Sequence, residues 1–199
     1  MRFHIGPIPE TPEFDPSAPW RPLREPSPIA LQVIALPVGI LVTLLVAHFW
    51  MNATPLQGMK WSVDPVEIIL LLIPLIIVHE LIHALVHPLQ GRTSDSIVGL
   101  WPSRMVFYAA YAGELSKERF LMILLAPLAA LTFAPLAIAW LTQSANTSMA
   151  FISCANAFAA CGDIVGASMV AWQVPARATV RNQGWRTFWK SGISRPEQS

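Results

Sequence analysis

Four long stretches of the chain are almost entirely apolar, and short polar segments separate them. The stretches run over residues 29–50, 66–90, 120–142 and 148–172. Each is longer than the roughly twenty apolar residues with which a helix crosses the hydrocarbon core of a bilayer. The fourth stretch is rich in Ala, Gly, Ser and Cys, which suits close packing of its helix against the others. This pattern predicts a mainly α-helical membrane protein with about four transmembrane helices.

The segments outside these stretches differ in character. Residues 97–101 and 105–108 are short β-prone runs joined by a Pro-Ser-Arg turn, which predicts a β-hairpin between helices 2 and 3. Residues 1–28 are rich in proline and predict an extended, mostly irregular N-terminal segment. The tail at 175–199 is basic and aromatic, and we expect it to lie at the lipid headgroups. The predicted transmembrane domain between these terminal segments covers residues 29–174.

Composition and charge support membrane insertion and indicate its direction. The chain is 54% hydrophobic and 13% charged, whereas soluble domains carry roughly 25% charged residues. Its net charge of +1 gives no basis for a nucleic-acid partner. Every lysine and arginine except Lys60 falls in the N-terminal segment, between the second and third stretches, or in the tail. With four spans these regions share one side, so both termini and the hairpin are expected to be cytoplasmic.

The second apolar stretch contains the pattern H-E-x-x-H, formed by His79, Glu80 and His83. Because His79 and His83 are four residues apart, they share one face of a helix. Two imidazoles in this arrangement can bind one zinc ion, while Glu80 is placed to act on a water molecule. The flanking residues are apolar, so the site is expected within the membrane. The sequence therefore predicts an intramembrane zinc site with Glu80 as its catalytic base.

Three further polar residues in the apolar stretches are candidates for this site. Asp163 is expected at the depth of His79, and a buried carboxylate needs a partner, so we expect it to be the third ligand; a structural carboxylate or proton relay is the alternative. Asn156 lies seven residues earlier on nearly the same helical face, where it is expected to donate a hydrogen bond to the oxyanion or the substrate carbonyl. An interhelical hydrogen bond by Asn156 has at least equal weight. His87 lies about 12 Å along the helix from His79 and is expected near the interface instead.

The ordered motifs of the chain resemble a known family. They are His79-Glu80-Leu81-Ile82-His83-Ala84, the segment 113–120, Leu124-Leu125-Ala126-Pro127, and Asn156 followed by Gly162-Asp163. Over about residues 70–190 the chain resembles the putative zincin peptidase family of small bacterial membrane proteins. More distantly it is similar to the site-2 protease group of intramembrane metalloproteases, although here Gly162 precedes Asp163 and no proline follows Asn156. The resemblance implies a protein of the bacterial cytoplasmic membrane.

These observations predict a zinc-dependent intramembrane endopeptidase. His79, His83 and Asp163 are expected to bind Zn²⁺, and Glu80 to move the proton of the attacking water. The expected partners are the lipid bilayer and a membrane protein or peptide substrate, whose extended backbone could pair with an edge of the hairpin. The alternative is a non-catalytic membrane protein that binds or transports a metal ion with the same cluster. A transporter should carry polar groups from one side to the other, and the otherwise apolar helices argue against that alternative.

Overall fold

The computed structural model describes residues 1–53 and 65–191. The helices are α1 (Pro28–Ala53), α2 (Pro65–Val86), α3 (Lys117–Pro127), α4 (Ala134–Thr142), α5 (Thr147–Ala159) and α6 (Cys161–Gln173). The strands are β1 (Arg2–Ile5), β2 (Arg21–Pro22), β3 (Ser96–Trp101), β4 (Val106–Tyr111), β5 (Leu115–Ser116), β6 (Thr179–Gln183) and β7 (Arg186–Lys190). Most of the loop expected between the first and second spans, including Lys60, and the last part of the tail lie outside the described residues.

The chain is mainly helical, and three of its helical runs are long and apolar enough to cross a membrane. These are Pro28–Asn52, Ile68–Val86 and Lys117–Thr142. Large apolar side chains, such as Leu41 and Leu44 of α1, point outward along these runs and are more than half exposed. Outward apolar faces are unfavourable in water and suit helices that contact lipid. The helices are therefore consistent with a membrane protein.

The fourth apolar stretch was expected to form one helix, and this expectation was wrong. It forms two helices, α5 and α6, that are bent by 48° at a break after Ala159. Ala160 between them has a ψ angle of 5°, which is outside the α-helical range. Three or four spans are possible, depending on whether the bent pair crosses as one. As a result, Asn156 and Asp163 lie on different helices rather than on one face of a single helix.

The third stretch runs continuously over Lys117–Thr142, but its middle turn is not α-helical. Residues Leu128–Phe133 form a π-helical turn, in which the backbone N–H of Ala134 bonds the carbonyl five residues back, at Ala129. Pro127 ends α3, and Pro135 stands at the start of α4. Since proline lacks the N–H that a regular helix needs, prolines are natural sites for such a change of register.

Helix α2 ends at Val86, four residues before the predicted end of the second stretch. Pro88 explains the early end, because the residue before a proline is disfavoured in the helical conformation. His87, just after the helix, is 1% exposed and lies 2.5 Å through its Nδ1 from the hydroxyl of Ser96 at the start of β3. The ring of His87 is therefore buried just beyond the end of α2, and its expected position near the membrane interface stays a prediction.

The predicted hairpin is confirmed as β3 and β4, which pair antiparallel, and β1 adds to β3 in parallel. The order β1-β3-β4 leaves β4 at the edge of this sheet. The backbone N–H of Ala112 bonds the carbonyl of Asp95, which makes the opposed residues Ser96 and Tyr111 a non-hydrogen-bonded pair. Alternate residues of β4 therefore turn their backbone groups away from β3: Phe107, Ala109 and Tyr111.

Both ends of the chain contribute to a second sheet, of order β2-β7-β6-β5. Residues 179–190 of the tail form the hairpin β6–β7, and the expected position of the tail at the headgroups stays a prediction. Residues 1–28 are mostly irregular, as expected, and are held by the pairing of β1 with β3 and of β2 with β7. Apolar side chains beneath the second sheet form a core with α3 and α6: Leu23, Leu115, Phe120, Ile123, Val170, Val174, Ala178 and Val180. This core fixes the second sheet close to the predicted site.

Candidate metal centre

Helix α2 presents His79 and His83 to the interior of the helical bundle. One turn separates the two residues, and their ring centroids are 4.9 Å apart. Both side chains are buried, with 6% and 5% of their surface exposed. The Nε2 atoms of the two rings face each other at 3.2 Å. The histidine pair therefore has the geometry that the four-residue spacing predicted.

Helix α6 brings Asp163 to the same point. Its Oδ2 atom lies 3.1 Å from Nε2 of His79 and 3.4 Å from Nε2 of His83. The break at Ala160 places Asp163 in the first turn of α6. The N-terminal end of a helix carries partial positive charge, which favours a carboxylate there. The three residues form a cluster that could bind a metal ion, and sequence reasoning had brought the same three together.

The other ring nitrogen of each histidine has a defined partner. His83 Nδ1 lies 2.7 Å from the backbone carbonyl of Ile123 in α3, which can only accept a hydrogen bond. His79 Nδ1 lies 2.8 Å from Asn156 Oδ1. The Asn156 amide is oriented by the Pro127 carbonyl, which accepts from its Nδ2 at 2.9 Å. Each ring, when neutral, therefore carries its proton on Nδ1, so that its Nε2 atom presents a lone pair.

The chemistry of this donor set fits a zinc ion. Two Nε2 atoms and one carboxylate oxygen converge within 3.4 Å, and with both rings neutral none of the three carries a hydrogen. Such a cluster is repulsive unless a cation or a proton joins it. Zinc bonds of about 2.0–2.1 Å to nitrogen and oxygen in a tetrahedron require ligand atoms roughly 3.3 Å apart. The separations of the three atoms are close to that value.

Glu80 follows His79 in the chain and lines a cavity of about 640 Å³ that includes the three clustered residues. The backbone N–H of Ala109, one of the outward-facing groups of β4, lies on the side of the Glu80 carboxyl group. The free edge of β4 thus forms one wall of the cavity. At another wall, burial raises the pKa of the Glu25 carboxyl, despite hydrogen bonds from the backbone and hydroxyl of Thr187.

Asn156 and His87 are the two remaining polar candidates of this region. Asn156 is fully buried and contacts His79, but both hydrogens of its Nδ2 are used, by Pro127 O and by Thr132 Oγ1. Its expected bond to an oxyanion therefore has no free N–H in this arrangement, and that role stays a prediction. His87 is outside the cluster, as expected.

Sequence reasoning missed the backbone and hydroxyl groups that surround the histidines. The missed groups are the Ile123 carbonyl, the Thr132 hydroxyl and the Ala109 N–H. For Ile123 a signal existed, because Pro127 stands four residues later and cannot donate to that carbonyl. The other two depend on the π-helical turn and on the register of β4, and no local pattern indicates them.

Comparison with known proteins gives one match. A family model described as "Putative zincin peptidase" matches residues 72–179. This range includes the H-E-x-x-H motif, the hairpin, Asn156 and Asp163. No curated protein and no solved structure matches the chain. The distant similarity to site-2 proteases is not tested by these comparisons and stays a prediction.

Proposed function

The chain belongs to the putative zincin peptidase family, and on that premise we propose that it is a zinc-dependent endopeptidase that hydrolyses peptide bonds of membrane-associated substrates. One observation carries the proposal. His79 Nε2, His83 Nε2 and Asp163 Oδ2 converge within 3.4 Å, beside a glutamate that lines the same cavity. That set meets the needs of a hydrolytic zinc site, which takes three protein ligands and a nearby base.

In this proposal His79, His83 and Asp163 hold the ion. When bound, zinc supplies a Lewis acid that polarises a carbonyl and makes water a stronger acid. Asp163 also offsets part of the ion's charge, which matters in a bundle of apolar helices. Because Nδ1 of each histidine is engaged elsewhere, neither ring can rotate away from the centre without breaking a hydrogen bond.

Glu80 acts as the general base and then as the general acid. It takes a proton from the attacking water and delivers it to the nitrogen of the leaving amine. Ala109 of the edge strand β4 lines the same cavity, so the carboxyl group of Glu80 faces the strand edge at which the substrate is proposed to bind. Glu80 points into the cavity beside His79, so its carboxyl group and the three ligands can reach one peptide bond.

The substrate is proposed to bind as an extended strand along the free edge of β4. Phe107 and Ala109 line the cavity and turn their backbone groups away from β3, as β-augmentation requires. A helical peptide bond is shielded by its own hydrogen bonds, so a membrane-spanning substrate must unwind before cleavage. Apolar residues of α1, α2 and α5 line the cavity as well, among them Ala35, Ile76 and Phe158, and suit an apolar substrate segment.

We further propose that cleavage occurs within the bacterial cytoplasmic membrane, with both termini of the chain in the cytoplasm. The proposal is supported by the apolar helices around the cluster and by the positions of the lysines and arginines. The rival function, a metal-binding or metal-transport protein without catalysis, uses the same cluster. Among the residues that the structure describes, one cluster of this kind is found, which favours a single site over a transport path.

The decisive experiment compares wild-type protein with Glu80→Gln. We expect one zinc per chain in both purified proteins, since glutamine leaves all three ligands intact. Mass spectrometry of new N-termini in membrane fractions should find fragments in cells with the wild type and none in cells with the variant. Equal fragments from both would overturn the mechanism. Zinc in both proteins with fragments from neither would favour the rival function.

A further inference from the structure

We propose that Pro127 and the π-helical turn after it, Leu128–Phe133, form a positioning element that sets which ring nitrogen of His79 and of His83 faces the metal. The inference rests on the proposed zinc site and adds the residues that orient its ligands. Pro127 leaves free the Ile123 carbonyl that contacts His83, and Pro127 and Thr132 together orient Asn156, which contacts His79.

The first connection leads from Pro127 to His83. In an α-helix the carbonyl of Ile123 would accept from the N–H of residue 127, but proline has none. The carbonyl is therefore left for another donor, and His83 Nδ1 occupies it at 2.7 Å. A freed carbonyl in an apolar helix is strongly driven to find a partner. Pro127 thus creates the acceptor that keeps the Nε2 lone pair of His83 at the centre.

The second connection leads from the π-helical turn to His79. Asn156 Nδ2 donates to the Pro127 carbonyl at 2.9 Å and to Thr132 Oγ1 at 2.9 Å. With both hydrogens of the amide committed, its Oδ1 is turned to His79 Nδ1 at 2.8 Å. Because an amide oxygen can only accept a hydrogen bond, the ring must carry a proton on Nδ1. In the neutral ring this leaves Nε2 of His79 free for the metal.

The π-helical register is what brings the two acceptors for Asn156 together. Pro127 and Thr132 are five residues apart, which in an α-helix would set them about 140° from each other around the axis. A π-helix bonds residues five apart, so both lie on the side that faces α5. Ser153 of α5 secures this arrangement: its hydroxyl donates to Thr132 O at 2.8 Å, and its carbonyl accepts from Thr132 Oγ1 at 3.3 Å.

All members of this network are inaccessible to water. Thr132, Ser153 and Asn156 have 0% of their surface exposed, and Pro127 is also buried. Buried hydrogen bonds have no solvent to replace a lost partner, so removal of one member leaves the others unpaired. Loss of one hydrogen bond in this network should therefore weaken metal binding. Groups in this position around a metal site typically change affinity by about 10- to 100-fold when lost.

The first test is Pro127→Ala in the purified full-length chain. Alanine restores an N–H that can bond the Ile123 carbonyl and displace His83 Nδ1. We expect zinc affinity, measured by competition with a chelating dye, to fall about 10- to 100-fold. Pro37→Ala is the matched control, because Pro37 is an exposed proline inside α1, and this variant should bind zinc like the wild type.

A second test removes the hydroxyl group alone. Thr132→Val is nearly isosteric and should weaken zinc binding to a similar extent, whereas Thr132→Ser keeps the hydroxyl and should restore it. Thr142→Val, at the exposed end of α4, is the control for the same chemical change. Nitrogen NMR of zinc-loaded, ¹⁵N-histidine-labelled protein should report Nε2 ligation for both histidines in the wild type and mixed ligation in Thr132→Val.

The outcomes separate this inference from the function on which it rests. Wild-type affinity and uniform Nε2 ligation in both Pro127→Ala and Thr132→Val would overturn the positioning role, even with the zinc site intact. A wild-type chain that binds no zinc would overturn the proposed function and this inference with it. Loss of affinity in both variants, with recovery in Thr132→Ser, would support the inference.

Discussion

The stability of this protein should fall sharply in mild acid because of one buried histidine. His87 lies one residue beyond α2 and is 1% exposed. Its Nδ1 is 2.5 Å from the hydroxyl of Ser96, and its ring centroid is 5.4 Å from that of Tyr111. Burial lowers the pKa of His87 to about 4, and the nearby charge of Arg119 acts in the same direction. The ring thus stays neutral where α2 meets the β3–β4 hairpin.

The magnitude follows from the two pKa values. In the unfolded chain His87 takes up its proton near its ordinary pKa of 6.5, but in the folded chain only near 4. Between these values the unfolded state binds more protons, so stability is complete above pH 6.5 and is lost as the pH falls. The loss from His87 is about 2 kcal/mol between pH 7 and pH 5. For a chain of this size that corresponds to a fall of roughly 4–8 °C in Tm.

The comparison with His87→Gln isolates this effect. Glutamine can still hydrogen-bond Ser96 but does not titrate, so the variant should lose less Tm than the wild type on going from pH 7 to pH 5. Thermal unfolding in detergent, followed by tryptophan fluorescence, measures both proteins; a chelator removes any effect of metal release. Burial raises the pKa of Glu25, which opposes the acid loss, but it does so equally in both proteins. Equal losses of Tm in the two proteins would refute the reasoning.

Three further predictions concern the metal site, the edge strand β4 and the turn at Gly91 after α2. Asp163→Ala should lower zinc stoichiometry, measured by metal analysis, because it removes the one anionic ligand; unchanged zinc would mean that Asp163 is not a ligand. Phe107→Pro should reduce cleavage without loss of zinc, because it removes an outward N–H of the edge strand β4. Phe107→Ala keeps that N–H and should cleave better, and equal activity of these two variants would contradict strand pairing. Gly91→Ala should lower the free energy of unfolding by about 1–2 kcal/mol, since Gly91 has a φ of +75° and a Cβ there would stand 2.6 Å from Ala84 O; unchanged thermal stability would contradict this.

The helices and the hairpin could be predicted because their signals are local. A long apolar run predicts a helix by composition alone, and the β-prone runs before and after residues 102–104 predict paired strands. The membership in the putative zincin peptidase family also follows from short motifs and is confirmed over residues 72–179. The break at Ala160 escaped prediction because the surrounding residues remain apolar, so hydrophobicity does not change where the helix axis does.

The sheet formed by the chain ends escaped prediction for a different reason. Strands β2 and β7 pair across most of the chain length, with Pro22 opposite Phe188. Neither segment has a long alternating pattern, and two residues suffice for β2. Such pairing depends on the core beneath it rather than on local propensity, because strand preference is largely a matter of side-chain contacts.

Part of the candidate site could also be predicted from local sequence, and part depends on tertiary packing. The convergence of His79 and His83 could be inferred from the sequence alone, because four residues on one helix fix both their shared face and their separation. The sequence also supplied Asp163 as a candidate through the cost of an isolated charge in an apolar helix. Only the tertiary structure decided which partners meet: Asp163, Asn156 and Ile123 reach the histidines from 84, 77 and 40 residues away. Helical periodicity determines which residues share a face, but packing between helices determines which faces touch, and that depends on the whole core at once.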